Sequence, residues 1–430
     1  MNKKILILIL LLSSFLPSLN AQKYIIHCGY ILDIHSGKYL KNKTILVEGN
    51  KITGIENGYI GDYQEGKVID LKDKYILPGF ADMHVHLESE MTRGSYINQF
   101  TLNEADVAYN AAVNARKTLM AGFTTVRDVG GSGVNTSLRN AINAGKVPGP
   151  RIISCGKGIG TTGGHADPTN GYKKDLMGDP GPDDGVINSP ADARKAVRQR
   201  YKNGADAIKI TATGGVLSLS KSGMAPQYTM EELEAIVATA TDYNMITAAH
   251  AHGTEGMKRA LLAGIQTIEH GTFMTREIMD LMVERGAYMV PTLTAGATIM
   301  ENAELADYYP EIVVPKIREI GPHGMNTFSK ALEKGVKMLF GTDAGVFPHG
   351  NNAREFELMV KNGMIPLHAI QCATIEPAKL FGNEENLGSI EVNKLADIIA
   401  VDSDPLKNIS ILKNVGFVIK DGVIYKNDME

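Results

Sequence analysis

Eight short apolar runs, each set off from the next by glycine, charge or a helical stretch, put the tightest limit on how this chain can fold. They span 78–86, 123–129, 151–156, 207–213, 246–252, 267–272, 288–293 and 337–343. Runs this short and so bounded read as strands buried on both faces rather than as helices. Most gaps between them hold amphipathic sequence of helical spacing, as in Ala105–Ala121, Pro190–Asn203, Met230–Tyr243 and Thr254–Ala263. Repeated βα units over about 300 residues predict a (β/α)₈ barrel, on which functional groups gather at the carboxyl ends of the strands.

Those ends carry the chemistry. The first run closes on His84-Val85-His86, and side chains two apart on a strand share a face, so both imidazoles can reach one metal ion. Alone, such a pair also suits an ordinary hydrogen-bonded strand end. Lys209, His250, His270 and Asp343 stand at or near the ends of the fourth, fifth, sixth and eighth runs, and together they make a metal site the better reading. Four histidines and an aspartate exceed one tetrahedral site with a position left for water, and they suit two ions sharing a bridge. Lys209 lies inside Ala207-Ile208-Lys209-Ile210, where a solvated lysine would be out of place, and an ammonium beside two cations would be strongly unfavourable.

The runs Pro78-Gly79-Phe80-Ala81-Asp82-Met83-His84-Val85-His86, Gly122-Phe123-Thr124-Thr125-Val126-Arg127-Asp128, Gly341-Thr342-Asp343-Ala344-Gly345 and Leu395-Ala396-Asp397-Ile398-Ile399, with Lys209, His250 and His270, resemble the amidohydrolase superfamily of metal-dependent hydrolases. The likeness is to the branch of imidazolonepropionase-like proteins and metal-dependent Xaa-Pro and Xaa-Arg/Lys dipeptidases. It implies a TIM barrel, residues 78–383, beside a small β-sandwich built from both chain ends, residues 22–77 plus 384–430; residues 1–21 are read from their own composition as a signal peptide. It implies that Lys209 is an N6-carboxylysine bridging two divalent ions, zinc being the first expectation. His84, His86 and Asp343 would hold the more buried ion, and His250 and His270 the more exposed one. The implied reaction is attack of a metal-bridged hydroxide on an amide carbonyl, with Asp343 as proton shuttle. Imidazolonepropionase lacks the lysine, so Lys209 turns the resemblance toward the dipeptidases.

Composition agrees. The chain has 430 residues, 43% of them hydrophobic, enough for one large core and a smaller one, and a net charge of −4 gives no footing for nucleic acid. Cys28, Cys155 and Cys372 lack metal-type spacing and read as isolated thiols. The basic Met1-Asn2-Lys3-Lys4, the apolar stretch Ile5 to Leu19 and the small Ala21 predict export with cleavage before Gln22, hence a secreted or periplasmic protein with no membrane anchor thereafter. Strands such as Tyr24–Cys28 and Thr44–Val47 near one end, and Ala396–Val401 and Phe417–Lys420 near the other, are too few on either side to close a sheet alone.

Three further residues are candidates for substrate contact: His165 in Gly163-Gly164-His165, Tyr228 in Pro226-Gln227-Tyr228, and His349 in Pro348-His349-Gly350. His252 is set aside as a ligand because His250 fills the fifth-strand position. Neither Thr213-Gly214-Gly215-Val216 nor the Gly156–Gly160 run has phosphate-loop spacing. The stretch 294–328 is long for a βα connection and marks a lid, a selectivity wall or a structural insertion. The expected substrate is a short peptide or other small molecule, with a dipeptidase first. An amidase of N-acyl amino acids of the ochratoxinase kind, or a cyclic-amide hydrolase, is the alternative, and a non-catalytic binding protein is disfavoured by the intact ligand set. The native metal and the assembly, homo-oligomers included, stay open.

Overall fold

All eight apolar runs form parallel strands in the computed structural model, which describes residues 22–61 and 65–429; the expected signal segment lies outside the described residues. Near the amino end come β1 (Lys23–Leu32), β2 (Tyr39–Glu48), β3 (Lys51–Asn57) and β4 (Lys67–Pro78). The first barrel strands are β5 (Phe80–Val85), β6 (Phe123–Asp128) and β7 (Arg151–Ser154), followed by the two-residue pair β8 (Gly160–Thr161) and β9 (Val186–Ile187). The remaining barrel strands are β10 (Ala207–Thr211), β11 (Ile246–Ala251), β12 (Thr267–His270), β13 (Tyr288–Val290) and β14 (Lys337–Met338).

Strands β5-β6-β7 and β10 to β14 are two parallel arcs. At one seam Asp206 and Thr211 amides donate to the Ser154 and Ile159 carbonyls. At the other, Met83, His86 and Asp343 amides donate to Phe340, Ala344 and His84, so the first and eighth strand ends interlock. The helices Glu104–Met120, Pro190–Lys202, Met230–Asp242 and Thr254–Ala263 fill the predicted gaps. Met230–Asp242 starts at a capping box, Thr229 accepting from the Glu232 amide while Glu232 returns to the Thr229 amide. The barrel core is packed with Phe80, Phe123, Phe340 and Phe356, all fully buried.

Strands from both ends of the chain join in one seven-stranded sheet, ordered β17 (Val423–Asn427), β16 (Phe417–Lys420), β15 (Ile398–Val401), β4, β1, β2, β3. Ile45 and Ile52 from one flank and Phe417 and Ile419 from the other share a single buried cluster. The sheet therefore curls until its flanks meet. The closing contact is tight: a Cβ on Gly422 would strike the Gly49 carbonyl, and its φ of +72° also favours glycine. Among the described residues no helix is long and apolar enough to cross a membrane.

Candidate active site

The strand carboxyl ends open into a cavity of about 900 Å³ whose lining includes His84, His86, Lys209, His250, His270 and Asp343. The six residues assigned to the metals from sequence are thus brought to one place. One Asp343 oxygen stands 3.5 Å from His84 Nε2 and 3.3 Å from His86 Nε2. Ligand atoms of His84, His270 and Asp343 lie within 4.8 Å of one another. The His250 and His270 ring centroids are 4.6 Å apart.

Hydrogen bonds decide which nitrogen each ring has to offer. His84 Nδ1 is 2.7 Å from the Glu269 carboxylate, His86 Nδ1 is 2.6 Å from the Gly130 carbonyl, and His250 Nε2 is 3.1 Å from the Gly214 carbonyl. Carbonyls and carboxylates only accept, so these nitrogens carry protons, which leaves Nε2 of His84, Nε2 of His86 and Nδ1 of His250 as the ring atoms that would face a metal. His270 Nδ1 meets the Thr292 hydroxyl at 2.7 Å. Rings so oriented from behind suit metal ligands, and the donor set fits divalent cations of the zinc type.

Behind His84 stands a buried ionic chain. Glu269 accepts from Arg127 Nη2 at 2.8 Å and from the Thr267 hydroxyl at 2.5 Å, and Arg127 Nε donates to the Met83 carbonyl at 2.8 Å. Asp82 accepts from the amides of His84 and Thr342 and from the Thr342 hydroxyl, tying the first strand end to the loop that carries Asp343. Burial pushes the Asp82 carboxyl up to about 6, against the pull of its donors. Backbone strain marks the same place: His270, Thr292 and Asp343 have φ of +70°, +49° and +59°. Non-glycine residues in that region cost about 1–3 kcal/mol each and persist only where the surroundings hold them.

Burial drives the pKa of His84, His250 and His270 well below the ordinary histidine range, keeping them neutral and able to ligate. Burial also lowers Lys209, although Glu269 and Asp343 pull the other way. Its side chain is buried, and among the described residues no hydrogen bond or ion pair holds its amine. For Asp343, burial acts upward but His84, His86 and Lys209 together outweigh it and hold the carboxyl low.

The substrate-contact candidates divide. His165 lines the cavity with its ring 4.3 Å from that of His250. Its Nδ1 is buried without a partner among the described residues, and burial brings its pKa down to about 3. Tyr228 lies in the barrel core, donating its hydroxyl to the Ile159 carbonyl at 2.6 Å, and does not line the cavity. His349 is also away from the cavity wall: its Nε2 lies 3.2 Å from the carbonyls of His86 and Ser89, bracing the loop after β5 from beneath. Both departures have one cause, since a strong hydrogen bond to the scaffold turns the polar atom away from the mouth. His252 lines the cavity with Nδ1 on the Thr272 hydroxyl at 2.8 Å.

Sequence reading missed Glu269, Arg127 and Thr292. Charges inside the apolar runs Thr267-Ile268-Glu269-His270 and Phe123-Thr124-Thr125-Val126-Arg127 were the available signal. The stretch 294–328 forms the helices Leu293–Ala303 and Val313–Ile320 and enters Gly324–Glu333, giving the cavity an apolar wall that includes Ile299, Met300, Ile320 and Met325.

The amidohydrolase family model matches residues 75–425. Ochratoxinase from Aspergillus niger is 28% identical over 430 residues, covering 94% of this chain and 87% of its own. A crystal structure of a Xaa-Pro dipeptidase with methionine bound in its active site is 52% identical with a TM-score of 0.92, over 94% of this chain and 100% of that one. A prolidase in complex with N-methylphosphonate-L-proline is 30% identical with a TM-score of 0.86, over 94% of this chain and 100% of that one.

Proposed function

The chain belongs to the amidohydrolase family and is a hydrolase of amide bonds, and from that premise we propose that it is an exported, dinuclear metal-dependent dipeptidase that cleaves small peptides with a free C-terminal carboxylate, Xaa-Pro in particular. The observation that carries this reading is the 52% identity to a Xaa-Pro dipeptidase along that protein's whole length.

In this reading His84, His86 and Asp343 would hold one ion, His250 and His270 the other, and carboxylated Lys209 both. Burial of Lys209 lowers its pKa and so favours the neutral amine that carbamate formation with CO₂ requires. Bound divalent cations, zinc first among them, supply Lewis acidity to the scissile carbonyl and bring water toward ionisation at neutral pH. Asp343, between the Nε2 atoms of His84 and His86, takes the proton of the attacking water and delivers it to the amine as the C–N bond breaks. His165 supplies a ring nitrogen with no partner among the described residues, a group that a substrate's polar atom can satisfy. The apolar wall of 293–325 receives a substrate side chain and excludes water. Residues 1–21 act as a cleaved export signal, which amino-terminal sequencing of the native protein tests directly: Gln22 should come first.

A second reading is favoured by the ochratoxinase relative and by cavity size, since about 900 Å³ is near the top of the range of drug-sized ligand sites, about 300–1,000 Å³. It makes the enzyme an amidase of bulkier N-acyl amino acids. The deciding experiment screens metal-loaded protein lacking residues 1–21 against dipeptides varied at the C-terminal residue, with N-acyl amino acids alongside. Turnover of Xaa-Pro is expected, and failure on every dipeptide would transfer the assignment to the second reading.

A further inference from the structure

Lys316, on the helix Val313–Ile320, is 5% exposed and donates its ammonium to three backbone carbonyls, of Gly215 at 3.1 Å, Ser218 at 2.5 Å and Ser220 at 2.9 Å. Among the described residues no carboxylate pairs with it. A buried ammonium without a counter-ion is expensive, and an apolar side chain would fill the same space at less cost. Its use is therefore to be sought in what it grips.

It grips the loop that leaves β10, and that loop touches the histidines of the site. The Gly214 carbonyl accepts from His250 Nε2, and the Thr213 hydroxyl accepts from the His252 amide at 2.9 Å. The His165 ring lies against Gly215 so closely that a Cβ there would collide with it. Tyr96 reaches across from another loop to the Leu217 carbonyl at 2.8 Å. Gly214 is tied within the loop by its amide on the Ala225 carbonyl at 3.0 Å and by the Thr213 hydroxyl on its carbonyl at 2.8 Å, whereas the 215–220 carbonyls that follow are gripped from outside the loop by Lys316.

We propose that Lys316 is a positioning residue for the metal centre: by clasping the 215–220 carbonyls it fixes the Gly214 carbonyl on His250 Nε2, and so keeps His250 Nδ1 turned into the cavity as a ligand. The inference rests on the reading of His250 as a metal ligand. It gives the helix Val313–Ile320, whose Ile320 lines the cavity, a second role in the site, exerted by Lys316 through the loop rather than on substrate.

The test measures metal content and affinity by chelator competition on purified full-length protein loaded with zinc, alongside hydrolysis. Lys316→Met should lower affinity for the more weakly held ion by about 10- to 100-fold, the range for residues that orient metal ligands. Lys316→Arg, which keeps donors and charge, should recover part of that loss. Tyr308→Phe is the control: it removes a 3.2 Å bond from the same roof to the Met91 carbonyl while leaving every hydrogen bond of the 213–220 loop in place, and should leave affinity within about twofold. If Lys316→Met does not fold, Lys316→Gln, which keeps an amide donor of shorter reach, should show an intermediate loss. Wild-type affinity in a folded Lys316→Met or Lys316→Gln variant, or an equal loss in Tyr308→Phe, overturns the proposal. A wild-type protein that binds no zinc would instead remove the reading beneath it.

Discussion

The floor of the site and its rim are built from different materials. At the floor, His84 is backed by Glu269, Arg127 and Thr267, side chains from barrel strands that are at most 1% exposed. At the rim, His86, His250 and His270 are backed by the Gly130 carbonyl, the Gly214 carbonyl and the Thr292 hydroxyl, all beyond strand ends. A charged chain inside a close-packed barrel has little freedom and a large penalty for losing one member. A loop acceptor is weaker and moves with its loop. The floor therefore ties the geometry of His84 to the stability of the fold, whereas the rim lets the geometry of its histidines change while the fold stands.

The sharpest break would come at Asp343, which joins the two levels through the rings of His84 and His86. Asp343→Asn or Asp343→Ala should abolish turnover with an unchanged circular dichroism spectrum, and near-wild-type rates in either would sink its role as proton carrier. Next is the floor itself. Glu269→Ala strands the Arg127 guanidinium and should cost about 3–5 kcal/mol in denaturant unfolding. A loss under about 1 kcal/mol would mean that the chain behind His84 is not held electrostatically.

Metal removal probes both levels together. Chelation should end activity and lower unfolding free energy by about 2.7 kcal/mol for each ion that had been held at a hundred times its dissociation constant, and restoring zinc should reverse both. At the rim, Thr292→Val keeps the side-chain shape and deletes the hydroxyl on His270; zinc affinity should fall about tenfold while unfolding shifts by about 1 kcal/mol. An unfolding change as large as that of Glu269→Ala would erase the distinction. The smallest expected effect is that of Tyr228→Phe. Ile159 keeps a bond from the Thr211 amide, so the loss should be about 1 kcal/mol with KM unmoved. A several-fold rise in KM would restore Tyr228 to substrate contact.

Much of this arrangement was legible in the sequence. Periodicity located all eight barrel strands, because a strand buried on both faces needs an unbroken apolar run. The placement of His84, His86, Lys209, His250, His270 and Asp343 at or near strand ends put them in one cavity once the strands were parallel. Tyr228 and His349 show where that reasoning stops. Each follows a strand end in sequence as a substrate-facing residue would, yet each spends its polar atoms on a backbone carbonyl of the scaffold. Nothing local in the chain reveals which acceptor a side chain will meet across the barrel.

What the sequence by itself determined is the order of the barrel strands and of the helices between them and which polar residues stand at the strand ends, since both follow from residue type and short-range spacing. The tertiary structure alone decided the pairing of Arg127 with Glu269 across 142 positions, the tautomers of His84, His86 and His250, and the clasp of Lys316 on carbonyls about 100 positions away. These depend on how closed strands and their loops bring distant atoms to hydrogen-bond distance, and a hydrogen bond is a matter of tenths of an ångström that no periodicity along the chain encodes.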